Sequence, residues 1–151
     1  MPTDEAELKQ YLAQFRHKIH GKVKFEDVDF YGVVHNIKYL YWIEWARTEF
    51  MHDMFAPEIT GNFLPAFPVM VVRNEVDYLD AMYFNNEYSI LSRVEKVGKS
   101  SITFENIVLL DDVKPALRMT SVFVHVDEFY KQSREISDDI RRKIAEYPGN
   151  F

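Results

Sequence analysis

The chain predicts an α+β fold, an antiparallel sheet wrapped around one long central helix. Three observations carry this. The strand-like runs are grouped, one before the helix and four after it, without the alternation that builds a parallel sheet. Residues 36–54 hold no proline or glycine and are apolar almost all round, as in a helix buried on most sides. The four later runs are joined by short turn signals, as in a meander.

Asp4, with Glu7 three residues on, resembles a capping box, and Leu8, Tyr11, Leu12 and Phe15 recur at helical spacing. This predicts a short amphipathic helix over 4–15, within an N-terminal appendage of residues 1–16. Residues 18–26 alternate after Gly21 and form the first strand, which runs into an acidic turn. The central helix is closed by His52, Asp53 and Pro57, and residues 58–68, with Gly61, Pro65 and Pro68, form a loop over the sheet. Residues 69–79 place Val72, Asn74, Val76 and Tyr78 on one side; residues 87–97 do the same with Tyr88, Ile90, Ser92 and Val94. Gly98-Lys99 is a tight hairpin signal. Residues 101–110 and 116–127 complete the meander through Asp111-Asp112-Val113-Lys114-Pro115. Ser137 and Asp138 open a last helix that ends near Glu146, within a C-terminal segment of residues 137–151. Residues 1–151 read as a single domain without repeats.

Composition narrows the function. A formal net charge of −6 argues against general nucleic-acid binding, which needs a basic face. The absence of cysteine excludes disulfides, thiolate metal sites and a cysteine nucleophile. The acidic N-terminus is unlike a signal peptide, and no apolar run approaches the ~18 residues of a membrane span. A cytoplasmic protein is expected. Aromatic residues, 15% of the chain, suit a deep core, an acyl or aryl pocket, or a protomer interface. A single sheet with open edges would favour pairing of protomers.

The chemistry centres on Asp27-Val28-Asp29-Phe30-Tyr31-Gly32-Val33-Val34-His35-Asn36, a turn with two acids and a glycine that feeds the central helix. The first amides of a helix lack partners and carry partial positive charge, so such a place can hold an anion or a developing oxyanion. Asp29 beside it is a candidate nucleophile or general base, or simply closes the turn. Asp27 reads as a turn or solvent residue. No phosphate-cradling glycine loop or Gly-x-Ser-x-Gly elbow is present, and His20, His52 and His125 show no metal-ligand spacing.

Within Asp27 to Phe50 the pattern Asp-x-x-Gly-Val-Val-His-Asn-x-x-Tyr-Leu-x-Trp-x-Glu-x-Ala-Arg resembles the signature of hotdog-fold thioesterases of the 4-hydroxybenzoyl-CoA thioesterase type. Bacterial acyl-CoA thioesterases and plant fatty acyl carrier-protein thioesterases share it. The resemblance implies a hotdog fold and hydrolysis of an acyl-CoA, in the setting of fatty acid metabolism. It implies no metal or redox cofactor, coenzyme A being part of the substrate. It also implies a homodimer with active sites at the interface, or a homotetramer. The family's catalytic aspartate lies three residues before the glycine, the place of Asp29. The Asn36 amide takes the oxyanion role, although its side chain could cap the helix instead. Gly32 supplies a backbone conformation costly to other residues, beside the substrate or as an ordinary turn glycine. Val33 and Val34 line the substrate pocket or simply pack, Tyr31 is a pocket candidate, and Tyr39 matches the motif tyrosine and belongs to the core.

His35 stands one position before the histidine of several relatives, so a catalytic role and a structural one both stay open. Glu44 is a fallback nucleophile, or an ion-pair partner of Arg47 at i, i+3. Arg93, Lys96 and Lys99, with Arg118, are the candidate grip on the coenzyme phosphates. Alternatives are an acyl-carrier-protein thioesterase, a hydratase using Asp29 and His35 on an enoyl thioester, and a non-catalytic acyl-CoA-binding protein.

Overall fold

The computed structural model describes residues 1–55 and 67–151. Helix α1 (Glu5–Leu12) is followed by strand β1 (His17–Lys22), a single 3-10 turn (Phe25–Asp27) and the central helix α2 (Asn36–Phe55). Strands β2 (Val69–Tyr78), β3 (Glu87–Val97), β4 (Ser101–Leu110) and β5 (Lys114–His125) and helix α3 (Asp138–Glu146) complete the chain. The loop assigned to 58–68, with Pro57, Gly61 and Pro65, lies outside the described residues except for its last two.

The helix ends follow local chemistry. The Asp4 side chain caps α1 by accepting from the amides of Ala6 and Glu7, and Ser137 caps α3 through Ile140 N–H. Two tight turns set the meander. Gly98 N–H donates to Ser101 O at 2.7 Å across the β3–β4 hairpin. Asp111 and Asp112, at φ 51° and 61°, give the β4–β5 hairpin the doubly left-handed turn that matches strand twist.

The five strands form one antiparallel sheet in the order β1-β3-β4-β5-β2. One face receives α2. Ile90, Val108 and Leu117 pack there on Tyr39, Trp42 and Ile43, and Val94, Ile102 and Phe104 on Phe50 and Met54. The opposite face is covered by α1, where Phe15 meets Leu91, Ile107 and Leu109, with Tyr11 and Leu12 beside them. Covering both faces makes the middle of β4 a continuous buried run instead of an alternating one.

Two expectations need correction. Helix α2 is not buried on most sides: Ile37, Tyr41 and Trp45, at i, i+4 and i+8, form a surface stripe. Arg93 is not a surface cation. It is 9% exposed, donating from Nε to Glu105 Oε2 at 2.8 Å and from Nη1 to Gln14 Oε1 at 2.6 Å beneath α1. Arg118 shares the carboxylate, Nε to Oε1 at 2.7 Å, and the Tyr11 hydroxyl donates to the same oxygen. Both arginines pair with a buried glutamate, and burial beneath α1 takes Arg93 out of a surface phosphate grip.

Candidate active site

The turn before α2 is a small hairpin. Val28 bridges Val34, and Asp29 N–H donates to Val33 O at 2.8 Å. Gly32 N–H returns to Asp29 O at 3.0 Å, and Gly32 itself sits at φ 77°. A three-residue loop that ends in a left-handed residue is a standard hairpin closure, and glycine fills that place without strain. At its tip Phe30 and Tyr31 are 97% and 84% exposed.

Asp29 is half-buried, and its Oδ1 accepts from Tyr31 N–H at 2.8 Å, an Asx turn. Oδ2 accepts no hydrogen bond among the described residues. Asp27, read as a turn or solvent residue, is instead 5% exposed. Its Oδ2 accepts from Lys24 N–H at 2.8 Å, Oδ1 lies 3.7 Å from Lys38 Nζ, and its carbonyl accepts from His35 N–H. Asp27 therefore ties the turn to the start of α2.

The helix start is capped by His35 and not by the Asn36 side chain. His35 Nδ1 accepts from Ile37 N–H at 3.3 Å, and its carbonyl accepts from Lys38 N–H at 2.9 Å. Of the first three amides of α2, only that of Asn36 has no acceptor among the described residues. This cap assigns His35 a structural job that asparagine can also do. His35→Ala is expected to lower stability by about 1 kcal/mol. His35→Asn is expected to restore most of it, with thermal melts as the readout. A hundredfold fall in turnover for His35→Asn would move the imidazole into the chemistry.

The unpaired amide belongs to a residue lining a cleft of about 460 Å³, whose other walls include Val33, Val34, Tyr39, Tyr78 and Asp80. Tyr78 braces the helix start by donating to Asn36 O at 3.1 Å, and it meets the Tyr39 ring edge to face. Burial pushes the Tyr39 phenol up to about 12, so it stays neutral. Asp80 is a cleft acid that the sequence reading missed. Lys114 and Ala81 N–H hold its carboxyl below the usual carboxylate range. Tyr31 and Gly32 lie outside the cleft lining, and so does Asp29 within one chain.

The remaining candidates lie elsewhere. Glu44 is exposed on α2 and outside the lining, and its predicted partner Arg47 rests over the Phe123 ring, 4.3 Å from its centroid. Lys96 and Lys99 are exposed at the Gly98 hairpin, whose carbonyls are gripped by Arg141 of α3. That end of the sheet packs on Phe50 and Met54, about 20 Å along α2 from Asn36 at a 1.5 Å rise per residue. One protomer therefore does not bring these lysines to its own Asn36. Among the described residues, no three His, Asp or Glu side chains gather as a metal set, and no helix is long and apolar enough to cross a membrane.

Known structures share this architecture. A thioesterase from Thermus thermophilus, solved with coenzyme A and zinc, aligns with a TM-score of 0.75 at 26% identity, over 87% of this chain and 92% of that one. A Staphylococcus aureus protein in complex with CoA aligns at 0.77 and 11% identity, over 87% and 82%. A thioesterase superfamily structure from Jannaschia sp. CCS1 aligns at 0.77 and 20% identity, over 97% and 92%. Residues 23–144, from just after β1 into α3, match the family described as the thioesterase-like superfamily, and the chain belongs to it.

Proposed function

We propose that this protein hydrolyses an acyl-CoA to the free acid and coenzyme A. The observation that carries the reading is the unpaired Asn36 amide at the N-terminus of a 20-residue helix, on the wall of a largely apolar cleft. A thioester carbonyl seated there would have its developing negative charge met by that N–H and by the helix dipole. Val33 and Val34 would flank the acyl or aryl group, and Asp29 would attack the carbonyl or activate water. Membership of the superfamily and the coenzyme A held by two structural neighbours support the choice of carrier.

The functional unit in this reading is a homodimer joined along β2. That strand ends the sheet, so one of its edges is unpaired, and it exposes Met70, Val71, Val72 and Tyr78. Tyr78 and Leu79 also wall the cleft, so a second copy beside β2 would complete the pocket and enclose Asp29. The test is thiol release from short, long and aryl acyl-CoAs, each matched with the corresponding acyl carrier protein. Turnover on at least one acyl-CoA is expected. Tight acyl-CoA binding in a calorimeter without thiol release on either carrier would overturn the reading.

A further inference from the structure

A second cleft, of about 430 Å³, runs along the other flank of α2, between that helix and β1. We propose that it binds an aromatic ring carrying phosphate, the chemistry of a purine nucleotide. Its floor is Trp42 stacked on Tyr88, with ring centroids 4.2 Å apart and planes 14° from parallel. The Tyr88 ring reaches this position by lying directly on the backbone at Gly21, where an added Cβ would fall 2.3 Å from the ring. Tyr41 and Trp45 stand at the mouth one helical turn apart, 64% and 44% exposed. Neither ring meets another ring among the described residues, which leaves two aromatic faces open to stack on a planar guest.

The polar groups are mostly donors. Tyr88 and Trp42, only 6% and 8% exposed, bring a phenol hydroxyl and an indole N–H to the lining. Burial, with Asp27 beside it, pushes the Tyr88 phenol up to about 12, which keeps it a donor. Three lysines line the cleft against two carboxylates, and the Asp27 carboxylate is already engaged by Lys38 and Lys24 N–H. Lys22 and Lys24 have no ion-pair partner among the described residues and so are open to a phosphate.

These cations surround the first turns of α2, the end that carries Asn36, whereas Lys96 and Lys99 lie by its far end. One chemistry therefore has two possible sources, the nucleotide end of coenzyme A or a free nucleotide. The first source rests on the proposed hydrolysis; the cleft itself does not.

The chain's only two tryptophans, Trp42 and Trp45, both line this cleft, so indole fluorescence reports on it, and a lysine variant separates it from the cleft beyond Tyr39. Adenosine 3′,5′-bisphosphate and coenzyme A are titrated separately into the full chain, with inorganic phosphate as control. Saturable quenching by the bisphosphate is expected, weakened about tenfold in the Lys22→Ala/Lys24→Ala double variant. Both lysines are exposed, so that variant is expected to keep its fold. Quenching by both compounds assigns the site to the coenzyme, and quenching by the bisphosphate alone assigns it to a free nucleotide; either supports the proposal. Unchanged fluorescence with both compounds at millimolar concentration, or equal affinity in the double variant, overturns it. Binding is read without turnover, so a protein that hydrolyses acyl-CoA yet is not quenched loses this cleft and keeps its proposed activity.

Discussion

Asp29→Asn is expected to leave the fold intact while acyl-CoA turnover falls by about 10²–10⁴-fold, the range for loss of a positioned base. The geometry makes this a clean substitution. Asp29 holds its turn by accepting one hydrogen bond, from Tyr31 N–H, and an asparagine carbonyl oxygen can accept the same bond. The charge and basicity are lost, but the Asx turn is not. Thermal melts should therefore coincide with the wild type while thiol release drops. Asp29→Ala removes the turn bond as well and should lose both. Wild-type turnover by Asp29→Asn across the acyl-CoA panel would leave the aspartate as a turn residue only. Attention would then pass to Asp80, the ionised acid already in the cleft lining.

Glu105→Ala is expected to destabilise the protein by about 3–5 kcal/mol, the cost of leaving a buried cation without its partner. Glu105 is 1% exposed and is shared by Arg93, Arg118 and Tyr11. At this chain length the loss corresponds to a fall in Tm of roughly 10 °C, read by calorimetry. Its pH dependence has a definite sign. Burial pushes the Glu105 carboxyl up, but hydrogen bonds from Tyr11, Arg118 and Arg93 outweigh it, and the net shift is downward. A depressed carboxylate stabilises the fold fully above the ordinary glutamate range and loses that contribution as pH falls through its own value. Glu105→Gln should therefore flatten the acid limb of the stability curve. A wild-type acid limb in Glu105→Gln would show that the network contributes no net stability. Tyr11, raised to about 12 by burial and then by Glu105, stays a donor over the whole range.

The fold was legible where a signal is local. The alternation in β3 and the Gly98-Lys99 turn signal set the β3–β4 hairpin, and the caps at Asp4 and Ser137 set two helix starts, because strand period, turns and capping act within a few residues. Strand β5 begins at Lys114 and not at Ala116: Pro115 reads as a connection, yet it pairs with Leu109 where the β4–β5 register shifts. Arg93 was misread because an arginine on an antiparallel strand usually faces water. Nothing near it in sequence says that α1, some eighty residues earlier, covers that face. His35 was weighed as a catalyst because several relatives carry histidine one position later, and its cap went unread because Asn36 beside it is the commoner capping residue. The nucleotide cleft was invisible for the same reason as Arg93: Lys22, Lys24, Lys38 and Tyr88 meet only after β1, β3 and α2 have packed.

Helix α1 has a consequence for how a second copy of the chain could approach. It is pinned to the sheet's outer face by Tyr11 on Glu105 and Gln14 on Arg93, and by the stacking of Phe15 under the Arg93 guanidinium. Two such sheets brought back to back would touch helix against helix before strand against strand. The appendage thus acts as a built-in spacer that keeps a second copy off this face of the sheet.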